Sequence, residues 1–233
     1  MTMDFAEQLH NSMPVEVAIR NRRSVRGFKP DAVSEKLLER LFTLSQWAPS
    51  NCNTQPWRSF VVSGDTLQSL RQKIHNAVVT GEAMVPDYPY DPSGYVGVYK
   101  DRQYGSAKAL YSAMEIERSD KQGRFDAFLR NYEFFDAPHA VFLFMSSNAT
   151  ERDAADVGMY AQTLMLSMMA NGIGSCAQGA LSFYPQIIRD ELNIQDDLKC
   201  LFGMSFGYED TSVAANKTQI DRAPLYETTT FYN

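Results

Sequence analysis

The chain has 233 residues, of which 44% are hydrophobic and 21% charged, and its formal net charge is −6. This length and composition predict a globular protein with room for one good core, or at most two small ones. The acidic balance argues against broad binding to nucleic acid or to an anionic membrane surface. No apolar run is long enough to span a bilayer, so no membrane partner is expected.

The N-terminus carries Asp4 and Glu7 where a secretory signal would have basic residues and then an apolar run. The cysteines are Cys52, Cys176 and Cys200, widely spaced and without a Cys-x-x-Cys pair. We therefore predict reduced thiols in a cytoplasmic protein. The histidines are scattered without metal-ligand spacing, so neither a metal site nor a histidine-driven nucleophilic site is expected.

A short helix is predicted over 14–19, with proline in its first turn. The basic stretch 22–28 follows it and reads Arg-Arg-Ser-Val-Arg-Gly-Phe. Arg22, Ser24 and Arg26 alternate, so they share one face if the chain is extended there. Two guanidinium groups and a hydroxyl on one face suit a phosphate or another anion. The alternative is a solvated basic turn, as charge runs usually are.

Helix and strand patterns alternate along the rest of the chain, without internal repeats or linkers. In chain order we predict a helix over 34–48 ended by Pro49, a strand over 59–63, helices over 65–80, 101–117 and 121–131, a strand over 139–145, a helix over 152–171, a strand over 175–181, a helix over 185–192 and a strand over 199–206. The methionine-rich 152–171 helix is apolar most of the way round, which indicates core or contact with another subunit. One α/β-type domain fits this order best.

The segment 82–100 is rich in tyrosine, proline and glycine and lacks a periodic pattern. Such a long irregular segment in a compact chain is usually a lid, a binding loop or a mobile segment. A disordered insertion is the alternative, but such insertions are usually poor in aromatic residues. We predict a lid-like insertion at about 82–131. The polar C-terminal extension from about 210 is expected to lie over another part of the molecule.

Several familiar chemistries are excluded by their motifs. There is no Walker loop and no Gly-x-Ser-x-Gly elbow, and Gly172 and Gly174 follow a helix rather than a strand, which argues against a Rossmann site. Four polar segments remain, far apart in sequence: 22–26, 49–55, 176–179 and 217–222. A single small-molecule cofactor could gather them, with its phosphate on the cationic segments and its ring close to the backbone at Gly179.

These segments resemble the FMN-dependent nitroreductase family, and within it the nitrobenzoate and nitroaromatic reductase branch. The matching motifs are Arg-Arg-Ser-Val-Arg-Gly-Phe at 22–28, Ala-Pro-Ser-Asn-Cys-Asn-Thr-Gln-Pro-Trp at 48–57, Asn-Gly-Ile-Gly-Ser-Cys-Ala-Gln-Gly-Ala-Leu at 171–181 and Asp-Arg-Ala-Pro-Leu at 221–225. The resemblance covers nearly the whole chain. It implies an α+β fold, a three-layer α/β/α sandwich around a mostly antiparallel sheet. It also implies an obligate homodimer with FMN at the subunit interface.

The resemblance further implies which residues meet the cofactor. Arg22, Ser24 and Arg222 would hold the phosphate, and Arg26 would lie near the N1–O2 edge of the flavin ring. Pro49, Ser50, Asn51 and Asn53 would come from the partner subunit, with Gln55 close by. Ala177, Gln178 and Gly179 would lie along the ring. The other implied cofactor contacts are Arg23, Cys176 and Lys217. The chain departs from many relatives at Ala177, where proline is common, and at Gln219, where a basic residue is common. Lys217 is the candidate to supply that missing charge.

The implied reaction has two steps, in which NADH or NADPH reduces the flavin at N5 and a small aromatic acceptor, a nitroaromatic or a quinone, then reoxidises it. No side-chain acid or base is required, so no catalytic side chain is assigned. Aromatic residues of the lid could stack on the acceptor or could form the core of the lid. These substrate candidates are Tyr90, Phe125 and Phe128. A flavin-binding carrier or sensor without turnover, and a reductive dehalogenase of the same fold, stay open as alternatives.

Overall fold

The computed structural model describes residues 13–232. In chain order its regular elements are α1 (Val15–Asn21), α2 (Glu35–Ser45), β1 (Arg58–Ser63), α3 (Gly64–Thr80), α4 (Val98–Ala113), α5 (Lys121–Leu129), β2 (His139–Ser146), α6 (Glu151–Ala170), β3 (Gly174–Gln178), α7 (Pro185–Leu192) and β4 (Leu198–Gly207). Every predicted helix and strand has a counterpart among them. Short 3-10 turns connect several elements, including one at Asn51–Asn53.

Element boundaries differ from the predicted ones by a few residues. Proline 14 precedes α1 as its N-cap rather than lying in the first turn. The serine N-cap of α2 is present, since the Ser34 hydroxyl accepts the Leu37 N–H at 3.4 Å. However, α2 ends at Ser45, short of the predicted Ala48. Pro49 disfavours helical geometry in the residue before it, so the helix ends ahead of that position. The predicted strand 175–181 also ends early, at Gln178, where a 3-10 turn begins.

The four strands form one sheet in the order β1-β2-β4-β3, and each neighbouring pair is antiparallel. The one parallel contact is an isolated bridge between Ser24 and Ser175 among the residues described. The mostly antiparallel sheet that the family resemblance implied is therefore confirmed. The helix–strand alternation alone predicted the elements but not the direction in which the strands pair.

Helices cover both faces of this sheet, each over its own apolar core. Along β2, Val141 and Leu143 join the core beneath α2 and α6, whereas Phe142 and Phe144 join the core beneath α3 and α7. Side chains alternate across a strand, and a strand covered on both faces becomes a continuous apolar run. That is why 139–145 lacks polar alternation, and it confirms the predicted three-layer α/β/α sandwich.

Helices α4 and α5 lie outside this sandwich and bury none of their described side chains. The loop before them is tethered at Asp87, whose carboxylate pairs with the Arg189 guanidinium at 2.6 Å and accepts the Cys200 N–H at 2.7 Å. Both partners belong to the sandwich. The segment 82–131 is thus anchored where it leaves the core and exposed farther along. From residue 13 to residue 232, every helix is too short or too polar to span a bilayer.

His139 is buried at the start of β2 in a setting that favours neutral imidazole. Its Nε2 accepts the Val33 N–H at 2.9 Å, and its ring stacks on Phe206 with centroids 5.3 Å apart. Burial lowers the pKa of His139 below its ordinary value. Between that lowered pKa and the unfolded value of about 6.5, the unfolded chain binds the extra proton. The stability that His139 contributes is therefore complete above about pH 6.5 and declines as the pH falls.

We expect His139→Gln to weaken the acid sensitivity of the fold, because glutamine keeps an acceptor for the Val33 N–H but does not titrate. The measurement is urea unfolding of both proteins at about pH 7.5 and about pH 5. The wild-type free energy of unfolding should fall more between the two pH values, by up to about 1.4 kcal/mol per pH unit from this group. An equal fall in both proteins would contradict the assignment.

Candidate functional site

The basic stretch, residues 22–28, runs alongside β3, and its alternate side chains lie near Cys176 of that strand. The Val25 N–H donates to the Ser175 carbonyl at 3.0 Å, and the Val25 side chain is buried. Burial raises the pKa of the Cys176 thiol, while Arg26, the Ser24 hydroxyl and Arg22 act in the opposite direction. All three therefore lie near Cys176, as expected if they share one face of an extended segment.

A third arginine, Arg222 of the C-terminal tail, lies close enough to act on Arg22. The pKa of Arg22 is lowered first by burial and then by the positive charge of Arg222, with Cys176 opposing the shift. One nitrogen of the Arg222 guanidinium donates hydrogen bonds to the carbonyls of Ile220 and Asp221, at 2.9 and 3.2 Å. Two guanidinium groups that lie close together, one of them partly buried, favour binding of an anion between them. The position suits a phosphate.

Arg23 differs from these residues because its charge is already paired. Its guanidinium pairs with Glu209, the residue next to Tyr208, whose carbonyl accepts the Lys29 N–H at 2.8 Å. In an extended chain the odd positions point away from the even ones. Arg23 is therefore distinguished by its ion pair with Glu209, but it lines the same cavity as Arg22.

The exit from β3 leaves a strip of open backbone beside the cationic face. Ala177 and Gly179 are exposed, and a Cβ added at Gly179 would meet no described atom within 4 Å. Gln178, between them, is 3% exposed. Its carbonyl accepts the Ser205 hydroxyl, and its amide donates to the Asn131 carbonyl at 2.9 Å. The Gln178 side chain is thus used inside the protein, and only its backbone can line this strip.

The loop 49–55 has an unusual backbone. Cys52, Asn53 and Gln55 have positive φ angles of 49°, 55° and 48°, a conformation that costs non-glycine residues free energy. The Ser50 hydroxyl accepts the Gln55 N–H at 3.0 Å, and the buried Asp156 carboxylate accepts the Asn51 N–H at 2.9 Å. The loop after Pro49 is therefore held in one shape with its amide and hydroxyl groups exposed.

Within one protomer this loop is remote from the cationic face. Its anchor Asp156 lies in the first half of α6, whereas Arg22 and Met169 line one cavity of about 280 Å³ near the end of α6. Thirteen helical positions separate Asp156 from Met169, which corresponds to about 20 Å. Side chains cannot span that distance. The sequence-predicted site residues therefore form two groups in a single chain.

The remaining candidates are placed as follows. Lys217 is exposed at the end of a 3-10 turn, Ala214–Lys217. Tyr90 is 55% exposed and packs against Phe183, just beyond the open strip, with ring centroids 5.2 Å apart. Phe125 is 43% exposed, whereas Phe128 packs edge-on against the buried Tyr132 at 5.3 Å. Phe128 thus packs against a core residue, and Tyr90 and Phe125 are exposed.

Two residues that organise the site were not identified from sequence, Asp156 and Asn216. Each is 5% exposed and hydrogen bonded to a site segment far away in the chain. A buried acid amid the apolar residues of α6 was the only signal for Asp156. Within residues 13–232 no cluster of histidine, cysteine and carboxylate side chains has the composition of a metal site.

The chain is similar to proteins of known activity. The sequence model described as the Nitroreductase family matches residues 19–208. Nitroreductase NfnB of Mycolicibacterium smegmatis is 42% identical over 219 residues, covering 93% of this chain and 92% of the relative. Nitrobenzene nitroreductase of Ectopseudomonas oleovorans is 32% identical over 222 residues, covering 93% of this chain and 96% of the relative.

Similarity in structure agrees with the similarity in sequence. The crystal structure of the FMN-dependent nitroreductase NfnB from Mycobacterium smegmatis in complex with NADPH superimposes with a TM-score of 0.90. The match has 41% sequence identity and covers 94% of this chain and 97% of that one. With the family model matching most of its length, the chain belongs to the nitroreductase family.

Proposed function

We propose that the protein is an FMN-dependent NAD(P)H oxidoreductase that reduces nitroaromatic or quinone-like acceptors. The observation that carries this proposal is the convergence of Arg22 and Arg222 beside the open backbone of Ala177 and Gly179. A paired cationic site next to a flat, unobstructed strip fits a phosphate joined to a planar ring. The similarity to an FMN-dependent nitroreductase crystallised with NADPH supports the same cofactors here.

In this proposal each part of the site has one task. Arg22, Ser24 and Arg222 hold the phosphate, and the backbone from Ala177 to Gly179 lies along the ring. Arg26 lies at the N1–O2 edge, where its charge stabilises the negative charge that reduction places there. Bound flavin supplies the redox chemistry, accepting hydride from the nicotinamide and passing electrons to the acceptor. The protein contributes orientation, charge and exclusion of water.

We propose further that the protein is a homodimer and that the loop 49–55 completes the flavin site of a second copy. The distance of about 20 Å along α6 prevents one protomer from supplying both groups. Exposed apolar side chains support a subunit contact. Trp47 beside the loop is 77% exposed, Val15 on α1 is 65% exposed and Tyr226 in the tail is 80% exposed. Contiguous exposed apolar surface marks interaction sites, and we assign these side chains to the subunit contact as part of this proposal.

Within this single domain, the segment 82–131 acts as a lid over the acceptor and the extension from about 210 reaches the phosphate. Tyr90 and Phe125 are the residues we assign to stacking on a flat acceptor, because both expose a large part of the ring. A cytoplasmic location remains the expectation from the sequence.

The test is spectroscopic. The purified protein should carry bound FMN or take it up, NADPH or NADH should bleach it anaerobically, and a nitroaromatic or quinone should restore the colour. A protein that binds no flavin would reject the proposal. Flavin that neither nicotinamide reduces would identify a carrier or sensor instead, and turnover of halogenated aromatics alone would identify a reductive dehalogenase.

We expect Gly179→Ala to lower FMN affinity without lowering the stability of the FMN-free protein. The new methyl group meets no described atom within 4 Å, and Gly179 does not have a positive φ angle, so the fold itself has no need of glycine here. A ring lying against this backbone would collide with that methyl group. Fluorescence titration with FMN and thermal unfolding without it measure the two quantities. Unchanged FMN affinity would exclude close approach at Gly179.

A further inference from the structure

Asn216 joins the basic stretch to the C-terminal tail through its side-chain amide. Its carbonyl accepts the backbone N–H of Arg26 at 2.6 Å. Its NH₂ group donates to the Gly27 carbonyl at 2.9 Å and to the Asp210 carbonyl at 2.8 Å. An amide offers two donors and one acceptor oxygen, so all three groups are engaged. The side chain is 5% exposed and cannot exchange these partners for water.

The two segments joined by Asn216 are also packed closely. A Cβ at Gly27 would lie 2.5 Å from the Val213 side chain, so the tail can approach only because residue 27 is glycine. The Asp210 N–H donates to the Gly27 carbonyl at 3.0 Å and adds a backbone bond to the junction. We call this junction of Arg26, Gly27, Asp210, Val213 and Asn216 the tail clasp.

The tail clasp lies between the charges of the proposed flavin site. On one side it fixes the backbone of Arg26, and on the other it begins the path of the tail that leads to Arg222. Asn216 bonds to Arg26 and Gly27 in the basic stretch and to Asp210 in the tail, and Lys217 and Arg222 follow it in sequence. The ion pair between Arg102 and Glu227 holds the far end of the tail, whereas the neutral, buried amide of Asn216 holds the near end against the basic stretch without adding charge.

We infer that Asn216 is a positioning residue that preorganises the flavin site by holding Arg26 and the Arg222 tail before FMN binds. This inference rests on the proposed function. Without the clasp, FMN binding would have to supply the free energy of ordering the tail and would be weaker by that amount. A displaced Arg26 would also give less stabilisation to the reduced flavin, so the midpoint potential of bound flavin would fall.

The alternative is that Asn216 merely stabilises a surface turn, and a neighbouring residue offers a matched control. Thr218 is buried in the same turn, and its hydroxyl donates to the Ala215 carbonyl at 2.7 Å without contacting the basic stretch. Thr218→Val removes that bond and keeps the shape of the side chain. It weakens the turn but leaves the clasp to Arg26 intact.

The experiment compares wild type, Asn216→Ala and Thr218→Val by FMN titration and by the midpoint potential of the bound flavin. We expect Asn216→Ala to raise the FMN dissociation constant at least tenfold and to lower the potential, whereas Thr218→Val changes neither. Gly27→Ala is a second variant that opens the clasp from the opposite side by displacing Val213. It should reproduce both effects and keeps the test possible if Asn216→Ala does not fold.

The outcomes separate this inference from the proposed function. If wild type binds and reduces FMN but both clasp variants retain its affinity and potential, the inference is wrong and the proposed function stands. Equal losses in Thr218→Val and Asn216→Ala would also overturn it, because they would show a general effect of the turn. A wild-type protein that binds no FMN would remove the proposed function and this inference together.

Discussion

Arg22→Ala is expected to weaken FMN binding by roughly ten- to more than a hundredfold. A hydrogen bond between charged partners contributes about 1.5–3 kcal/mol, and each factor of ten in affinity corresponds to about 1.4 kcal/mol. The structure places this side chain, partly buried, opposite the charge of Arg222. Titration of the FMN-free protein with FMN at fixed ionic strength measures the loss.

The neighbouring arginine is the matched control for this prediction. Arg23→Ala removes the same charge one position along, but the Arg23 guanidinium is already paired with Glu209. We expect this variant to retain FMN affinity within a few-fold. The FMN-free Arg22→Ala protein should also unfold at the same temperature as wild type or higher, because the substitution removes an unfavourable repulsion. Equal affinity losses in the two variants would mean a diffuse effect of net charge and no specific phosphate contact.

The sequence predicted the elements of this fold well because their signals are local. A serine N-cap, an apolar stripe in α3 and an unbroken apolar run in β2 lie within a few residues of one another. The pairing of the strands is not local, and it was predicted only through the family resemblance. Two of the boundaries that differed lie beside Pro49 and Gly179, where local geometry overrides a periodic pattern.

The candidate site was predicted less completely because its geometry depends on long-range contacts. Alternation grouped Arg22, Ser24 and Arg26, but only the ion pair to Glu209, 186 positions away, shows that the charge of Arg23 is already engaged. Gln178 was expected along the ring, yet its side chain is used by Asn131 and Ser205. A polar residue in a strand does not reveal its orientation until the neighbouring strands are known.

Asn216 illustrates the same limit in a residue that sequence reasoning missed. It lies in a polar tail with no periodicity, and its partner Arg26 is 190 positions away. Nothing in the surrounding residues marks it as buried. Its role becomes visible only when the tail folds back over Gly27.

Two defective subunits should restore flavin binding when they are combined in one dimer. The proposed site takes Arg22 from one protomer and the loop 49–55 from the other, because about 20 Å of α6 separates the two groups in a single chain. Arg22→Ala and Asn53→Gly therefore damage different halves of each site. Glycine replaces Asn53 because its φ of 55° would strain alanine.

Each variant alone should form dimers in which both sites are weakened. In a mixed dimer, one site combines the two intact halves and the other combines the two defective ones. Co-expression with different affinity tags and purification through both should give one FMN bound per dimer at wild-type affinity. The control is each variant co-expressed with a differently tagged copy of itself, which should bind FMN only weakly. If the mixed dimer bound FMN no better than this control, both groups would act within one protomer and the shared site would be wrong.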